Sequence, residues 1–143
     1  MRLADWMTRN PVIVGPDETV PQAAKLMKAG RFRRLPVVRA DEVVGVITDR
    51  DLRTAMPSDA TTLSAWEVPG LLAKLHVSEV MSSPVYLLRE DATLEEAARL
   101  MLERRIGGLP ILNASGRLSG IITVTDLLRA FLKSATQRGL VEA

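Results

Sequence analysis

Apolar residues recur along this chain first at helical spacing and then at strand spacing. Residues 19–30 carry apolar side chains three and four positions apart, which predicts a helix with one buried face. Thr19 and Gln22 occupy the two positions of a capping box, so the helix is expected to begin at Thr19. Two short apolar runs follow, 35–39 and 43–47, and the polar residues between them predict a tight turn that joins two strands.

The same order returns 74 positions later, so the chain is a doubled unit. Thr93 and Glu96 form a second capping box and predict a helix over residues 94–103. The apolar runs 109–113 and 118–122 predict a second strand pair. Two copies are too few for a solenoid, so the repeat indicates an α+β fold built from a duplicated half-domain with pseudo-twofold symmetry.

Each copy ends in a junction where a buried strand runs directly into a helix. Thr48 stands three residues before Asp51, and Thr123 stands three residues before Asp126. A helix N-terminus offers unpaired N–H groups to a phosphate, and a carboxylate one turn later suits the two hydroxyls of a sugar. The same spacing also forms a T-x-x-D cap that needs no ligand, and this cap accounts fully for the threonines. A nucleotide site and a helix cap are therefore both open interpretations.

Shorter segments complete each copy. The apolar runs 12–14 and 85–88 predict a short strand in front of each capped helix. After the two junctions, the pattern predicts helices over residues 49–55 and 125–133.

The repeats set the expected domain organisation. It is a first repeat at 1–56, a helical linker at 57–76, a second repeat at 77–133 and a flexible tail at 134–143. In the linker, Ser64 and Glu67 form a further capping box, and Trp66 is expected to pack in the core or at a dimer interface. The tail is polar and rich in small residues, so it is expected to fray.

Composition narrows the classes of function. The chain has 143 residues, 47% of them hydrophobic, which is enough for one domain with a core. Its net charge of +2 does not favour a nucleic acid or an anionic membrane as partner. Without cysteine, and with His76 as the single histidine, neither a disulfide nor a metal site is expected. The absence of a long apolar run and the acidic Asp5 near the N-terminus predict a cytoplasmic protein.

Motifs typical of enzymes are not found in the sequence. It has no G-x-x-x-x-G-K-[ST] loop, no G-x-G-x-x-G, no H-E-x-x-H and no G-x-S-x-G. Acid–base or nucleophilic chemistry would depend on carboxylates, lysine and serine alone. We therefore expect a protein that is not an enzyme and uses no catalytic cofactor.

Four short motifs occur in the same order in both copies. They are Met followed shortly by Pro and Val, a Thr-capped helix with Ala-Ala-x-x-Met, Leu-Pro-Val or Leu-Pro-Ile, and Gly-x-x-Thr-x-x-Asp. This doubled pattern resembles a tandem pair of cystathionine-β-synthase (CBS) domains over residues 1–133. The stretch 52–81 is similar to the long linker of acetoin-utilisation-type CBS proteins. Those proteins often carry a C-terminal ACT domain, and this one is expected to belong to the subgroup without it.

The resemblance implies a β-α-β-β-α fold for each repeat, with two repeats packed into one CBS-pair (Bateman) module that often forms a homodimer. It also implies clefts for adenosine-containing ligands, namely AMP, ADP, ATP or S-adenosylmethionine. Asp51 and Asp126 would then hold the ribose hydroxyls, and Thr48 and Thr123 would meet a phosphate or complete the turn. The positions expected to line the adenine are Val12, Ile13, Val85, Tyr86, Leu35, Pro36, Leu109 and Pro110.

The two copies differ in the charge in front of the Leu-Pro motif. Residues 31–34 are Arg-Phe-Arg-Arg, whereas residues 105–108 are Arg-Ile-Gly-Gly. Because a guanidinium matches two phosphate oxygens, Arg33, Arg34 and Arg50 are expected to meet the phosphate charge, and the two sites are expected to differ in affinity. A solvated surface and a contact with nucleic acid are the alternatives for this cluster.

These observations favour a regulatory module that binds an adenine nucleotide and signals its occupancy through a conformational change. The rival hypothesis is a ligand-free structural module whose role is homodimerisation. A DNA-binding regulator is a third alternative, because residues 63–81 have the outline of a helix–turn–helix, although the nearly neutral chain disfavours it.

Overall fold

The structure is a computed structural model, and it describes residues 1–55, 74–83 and 85–140. The capping box predicted for Ser64 and Glu67 lies outside the described residues, as does Trp66. In the described part, helices and short strands follow one another in the predicted order, so the α+β class is confirmed.

The described residues form six strands and five α-helices. The strands are β1 (Thr8–Arg9), β2 (Arg34–Arg39), β3 (Glu42–Thr48), β4 (Leu88–Arg89), β5 (Gly108–Leu112) and β6 (Leu118–Thr123). The helices are α1 (Val20–Gly30), α2 (Asp49–Ala55), α3 (Val77–Val80), α4 (Leu94–Arg104) and α5 (Val124–Gln137), and a 3₁₀ turn covers Leu3–Asp5. Both strand pairs and the helices α1, α2, α4 and α5 lie where the apolar pattern predicts them.

Capping boxes fix where α1 and α4 begin. Thr19 Oγ1 accepts a hydrogen bond from the Gln22 N–H at 3.3 Å, and Gln22 Oε1 accepts one from the Thr19 N–H at 2.7 Å. The same two bonds between Thr93 and Glu96 measure 3.1 and 3.0 Å. Each box satisfies two N–H groups that would otherwise lack a partner at the helix start, so both predictions are confirmed.

The predicted strands in front of these helices are shorter than expected. Of residues 12–14, only Val14 pairs, in a parallel bridge with Val37. Of residues 85–88, only Leu88 lies in a strand, which is β4. Each of these segments lies beside a single neighbouring strand, so an apolar run is not by itself enough to extend the pairing.

The last helix is longer than predicted. We expected it to end at residue 133, but α5 continues to Gln137. Ala130 and Ala135 are both buried, so the inner face of the helix continues past the expected end. The first residues of the predicted tail are therefore helical, because the small Ala135 side chain is buried on the inner face of the helix.

One compact unit comprises Met1–Pro11 and Tyr86–Ala143. Its sheet has the order β1-β6-β5-β4, in which β4 runs parallel to β5 and the other pairs are antiparallel. Helices α4 and α5 contact each other and this sheet. The core of the unit consists of Leu3, Met7, Leu94, Ala97, Met101, Leu109, Ile111, Ile122 and Ala130.

The other compact unit is Val12–Val85, and it is organised around the antiparallel β2–β3 hairpin. Val14 adds a parallel bridge beside β2, and Ser82 adds an antiparallel bridge beside β3. Helices α1, α2 and α3 contact the hairpin. The core consists of Val14, Ala23, Met27, Leu35, Val37, Ile47 and Val77. The order of segments around the hairpin is thus the same as in the first unit.

The segment that precedes each repeat packs on the sheet of the other repeat. A Cβ built on Gly120 would lie 2.7 Å from Met7 Sδ and 2.8 Å from the Thr8 carbonyl oxygen. A Cβ built on Gly45 would lie 2.5 Å from Met81 Sδ. Glycine is favoured at both positions because a backbone carbonyl, that of Thr8 at 2.8 Å or that of Ser82 at 3.0 Å, lies against the strand together with the methionine side chain. For the same reason the boundaries of the compact units differ from those of the sequence repeats: Met1–Pro11 belongs to the unit that contains most of the second repeat.

Candidate functional site

Both predicted junctions form a capping box at the start of a helix. At α5, Asp126 Oδ2 accepts hydrogen bonds from the Thr123 N–H at 2.9 Å and from the Thr123 hydroxyl at 3.0 Å. At α2, Asp51 Oδ2 accepts from the Thr48 N–H at 2.9 Å, and Thr48 Oγ1 accepts from the Asp51 N–H at 3.0 Å. The cap is therefore observed at both junctions, and the ribose role of the two carboxylates stays a prediction.

Each carboxylate keeps its second oxygen outside the cap, and the two differ in what surrounds that oxygen. Asp126 is only 5% exposed, and its Oδ1 lies 3.5 Å from Arg129 Nη1. Asp51 is half-buried, and the nearby ion pair joins Arg53 Nη2 to Asp49 Oδ2 at 3.8 Å instead. In the part of the chain that the structure describes, no cation forms an ion pair with Asp51.

In the Val12–Val85 unit, backbone hydrogen bonds join the predicted segments to β2 and to the residue that precedes it. The Val14 N–H donates to the Pro36 carbonyl at 3.1 Å, and the Asp49 N–H donates to the Arg33 carbonyl at 2.8 Å. Strand β2 therefore lies between the segment that carries Val12 and the start of α2. The unit thus brings together the predicted apolar, basic and acidic segments.

Arg34 is the partly buried arginine of the basic cluster. Burial lowers the pKa of its guanidinium below the ordinary value; of the two charges nearby, Asp49 opposes this shift and Arg33 adds to it. Within residues 1–55, 74–83 and 85–140, no carboxylate forms an ion pair with Arg34. A cation that is partly removed from water, with the nearby Asp49 too distant for an ion pair, favours an anionic ligand. Arg33 and Arg50, by contrast, are exposed.

Glycines occupy the corresponding positions of the other unit. The Val124 N–H donates to the Gly107 carbonyl at 3.1 Å, as Asp49 does to Arg33, and Gly108 is buried. This junction has no guanidinium at these two positions. A cation does lie near the predicted lining residue Tyr86: the Arg104 guanidinium is 5.0 Å from the centroid of the Tyr86 ring.

The predicted apolar lining divides into exposed and buried side chains. The exposed ones are Val12, Ile13 and Tyr86, and Val85 is half-buried. The Leu-Pro pairs at 35–36 and 109–110 are fully buried, and both leucines belong to the core of their unit. These two pairs therefore present backbone rather than an open side-chain surface.

Two arginines near the site were missed by the sequence analysis. Arg129 follows Asp126 by three residues on one helix, and this spacing could have indicated the ion pair. Arg104 had no comparable signal, because Tyr86 lies outside the helix that carries Arg104 and is far from it in sequence.

The described residues include neither a cluster suited to a metal ion nor a helix suited to a membrane span. Among them, no group of three or more histidine, aspartate or glutamate side chains is arranged to hold a metal ion. None of the described helices has the length and apolar character to cross a membrane.

The CBS domain family matches residues 3–58 and 77–133 of this chain. These ranges cover well over half of the 143 residues, so the chain belongs to the CBS domain family. The family occurs twice, once in each sequence repeat, which confirms the tandem pair that the motifs indicated.

Relatives of known sequence support the assignment. A CBS domain-containing protein of Dictyostelium discoideum is 35% identical over 128 residues, which cover 89% of this chain and 88% of the relative. An uncharacterised protein of Methanocaldococcus jannaschii is 32% identical over 132 residues, which cover 89% of this chain and 46% of the relative. This chain thus spans about half the length of the second relative.

Solved structures share the fold. CBSX2 of Arabidopsis thaliana, solved in complex with AMP, has a TM-score of 0.74 at 32% identity, with 93% of this chain and 97% of that chain covered. A Vibrio cholerae protein named for acetoin utilisation (AcuB) has a TM-score of 0.76 at 29% identity, with 100% and 98% covered. The fold is therefore that of a CBS-pair module.

Proposed function

We propose that this chain is a regulatory CBS-pair module that binds an adenosine-containing ligand and signals its occupancy by a conformational change. The observation that carries the proposal is Arg34, a partly buried cation opposite Thr48 in the β2–β3 pair and without a carboxylate partner among the described residues. Such a cation favours a phosphate. The AMP complex of CBSX2 supports an adenine nucleotide as the source of that phosphate.

The polar residues at and near the Thr48–Asp51 junction have distinct roles in the proposed complex. Phosphate oxygens accept hydrogen bonds from the Arg34 guanidinium, and the exposed Arg33 and Arg50 add positive charge. The sugar hydroxyls donate to Asp51 Oδ1, the oxygen that the cap leaves unused. Thr48 holds Asp51 in place through the cap and completes the turn.

The adenine would lie against the exposed apolar side chains of the same segment. Val12 and Ile13, both exposed, would supply this surface for the Asp51 junction, and the exposed Tyr86 would supply it for the Asp126 junction. The remaining predicted lining residues would contribute through their backbone, since their side chains are buried. These residues are Leu35, Pro36, Leu109 and Pro110.

The two junctions are proposed to differ in the ligands they prefer. Asp126 offers the same carboxylate as Asp51, but Gly107 and Gly108 stand where the first copy has Arg33 and Arg34. A phosphate therefore gains less at the Asp126 junction than at the Asp51 junction. AMP, ADP and ATP would favour the first, while a ligand without phosphate, such as S-adenosylmethionine, would bind either.

Regulation would follow from linkage between ligand binding and conformation. A ligand that prefers one arrangement of the module shifts the population toward that arrangement. At a ligand concentration about 100-fold above its Kd, the bound form gains roughly 2.7 kcal/mol, which is enough to change a balanced two-state equilibrium. Competition between AMP and ATP would make the chain a sensor of energy state.

The proposal is tested by replacing both acidic residues with asparagine and titrating AMP, ATP and S-adenosylmethionine by calorimetry. Asparagine keeps a capping oxygen but not the charge, so Asp51→Asn with Asp126→Asn should fold and lose most adenosine-dependent binding. Asp17→Asn, which alters an exposed aspartate paired with Arg39, is the control for the loss of a surface carboxylate and should bind as the parent does. Undiminished binding by the double variant would remove the carboxylates from the site.

A structural homodimerisation module is the second candidate, and one surface favours it. Val124, Leu128, Phe131 and Leu132 are exposed by 43 to 59%, and they recur at helical spacing along α5. A second copy could cover this stripe. Light scattering of Leu128→Ser with Phe131→Ser should show monomers where the parent shows dimers. A stable parent dimer, together with no thermal shift from any adenosine compound, would favour this candidate over ligand binding.

A further inference from the structure

The two capping carboxylates are not equivalent, and the difference lies one helical turn beyond each of them. Asp126 Oδ2 has two donors from Thr123, and its Oδ1 faces Arg129 Nη1 at 3.5 Å. The position equivalent to Arg129 in the first copy is Thr54, 75 residues earlier, which carries no charge. In that copy Arg53 pairs with Asp49 rather than with Asp51.

We propose that Arg129 determines how strongly the Asp126 junction selects for a sugar diol, because it competes with the diol for Asp126 Oδ1. This inference rests on the proposed function, in which the ribose hydroxyls donate to that carboxylate. Arg129 does not touch the ligand in this proposal; it affects binding only by occupying Asp126 Oδ1. The result is a second site that binds a ribose more weakly than the Asp51 junction does.

The competition follows from the number of acceptor positions on a nearly buried carboxylate. The cap uses Oδ2, so a sugar hydroxyl must bind at Oδ1, where the Arg129 guanidinium already lies. The Asp126 side chain is only 7% exposed, which leaves little room for both donors. The Arg129 side chain is 69% exposed, so it can turn into water when a ligand enters. Because the cation of this pair stays largely in water, the pair is weak and would lower affinity only about two- to fivefold.

The experiment isolates the Asp126 junction in an Asp51→Asn background of the 143-residue chain. Adenosine and 2′,3′-dideoxyadenosine are titrated by calorimetry into this background with and without Arg129→Thr, the residue type found at position 54. We expect Arg129→Thr to raise adenosine affinity about two- to fivefold and to leave dideoxyadenosine affinity unchanged. A merely structural role would move both affinities together.

Two further variants sharpen the result. Arg129→Lys keeps the charge near Asp126 and should return adenosine affinity toward that of the background. Arg53→Thr removes an equal charge from a pair with Asp49 and should change neither titration.

The inference and the proposed function fail in different ways. Unchanged or weakened adenosine binding in Arg129→Thr would overturn the competition. Loss of all adenosine binding in the Asp51→Asn background, while the parent binds, would also overturn it, because Asp126 would then hold no ligand. If the parent itself binds no adenosine compound, the proposed function is wrong.

Discussion

Replacement of Arg34 by glutamine should separate the phosphate contribution from the rest of nucleotide binding. Glutamine keeps much of the side-chain length but removes the charge and the planar fork that matches two phosphate oxygens. In the described part of the chain the half-buried guanidinium forms no ion pair, so the change loses only the attraction of the nearby Asp49, which is smaller than the effect of burial. The stability of the ligand-free protein should therefore change little. Removal of a partly desolvated charge is itself stabilising and offsets part of any loss.

The size of the effect follows from the type of bond that is lost. A hydrogen bond to a charged group contributes roughly 1.5–3 kcal/mol, and each 1.4 kcal/mol is about tenfold in affinity. Arg34→Gln should therefore weaken AMP binding about 10- to 150-fold. Adenosine carries no phosphate, so its affinity should stay within about twofold of the parent value.

Calorimetric titration with AMP and with adenosine measures both affinities on the same preparation. Arg39→Gln is the matched control, because Arg39 lies at the other end of β2 and pairs with the exposed Asp17. The control should bind both ligands as the parent does. If AMP affinity falls less than about twofold, or if adenosine affinity falls equally, Arg34 is not a phosphate ligand and the observation that carries the proposed function is lost.

Three further predictions concern stability and pH. Gly120→Ala should cost about 1–3 kcal/mol in thermal or urea unfolding, because the new Cβ would meet Met7 Sδ and the Thr8 carbonyl at 2.7 and 2.8 Å. Gly15→Ala, with its nearest neighbour at 3.5 Å, should be close to neutral, and equal losses in both variants would refute the packing argument. AMP affinity should rise as the pH passes about 6, where a phosphate gains its second charge, and Arg34→Gln should flatten this rise. Burial lowers the pKa of Arg34, so the folded protein gains stability from this group only when the pH rises far enough to remove its proton, in the strongly alkaline range. The free energy of unfolding should therefore show no contribution from Arg34 when it is measured between about pH 6 and pH 9.

Local signals in the sequence predicted the elements where a short-range interaction decides the conformation. The capping boxes at Thr19 and Thr93 were predicted because both partners of each box lie within one helical turn. The strand pairs β2–β3 and β5–β6 were predicted because the apolar runs of each pair are separated by a few turn residues. The T-x-x-D spacing likewise indicated a cap at both junctions.

Interactions between distant segments were not predicted. Residues 12–14 and 85–88 have the apolar character of strands, yet only Val14 and Leu88 pair, because pairing depends on how far a neighbouring strand extends. The preference for glycine at position 120 comes from the Thr8 carbonyl and the Met7 side chain, more than a hundred residues earlier in the chain. No local pattern reports such a contact.

The sequence by itself determined the doubled plan, the family and the position of each Thr–Asp junction, since these depend on residue type and short spacing. Only the tertiary structure decided which arginine is partly buried and which carboxylate is already paired. Arg33 and Arg34 are adjacent and identical in type, but β2 leaves Arg33 exposed and partly buries Arg34. Asp51 and Asp126 occupy the same cap, but only the helix that continues from Asp126 places an arginine one turn further on. Burial and counter-charge depend on neighbours in space, and these neighbours decide what the same residue type can bind.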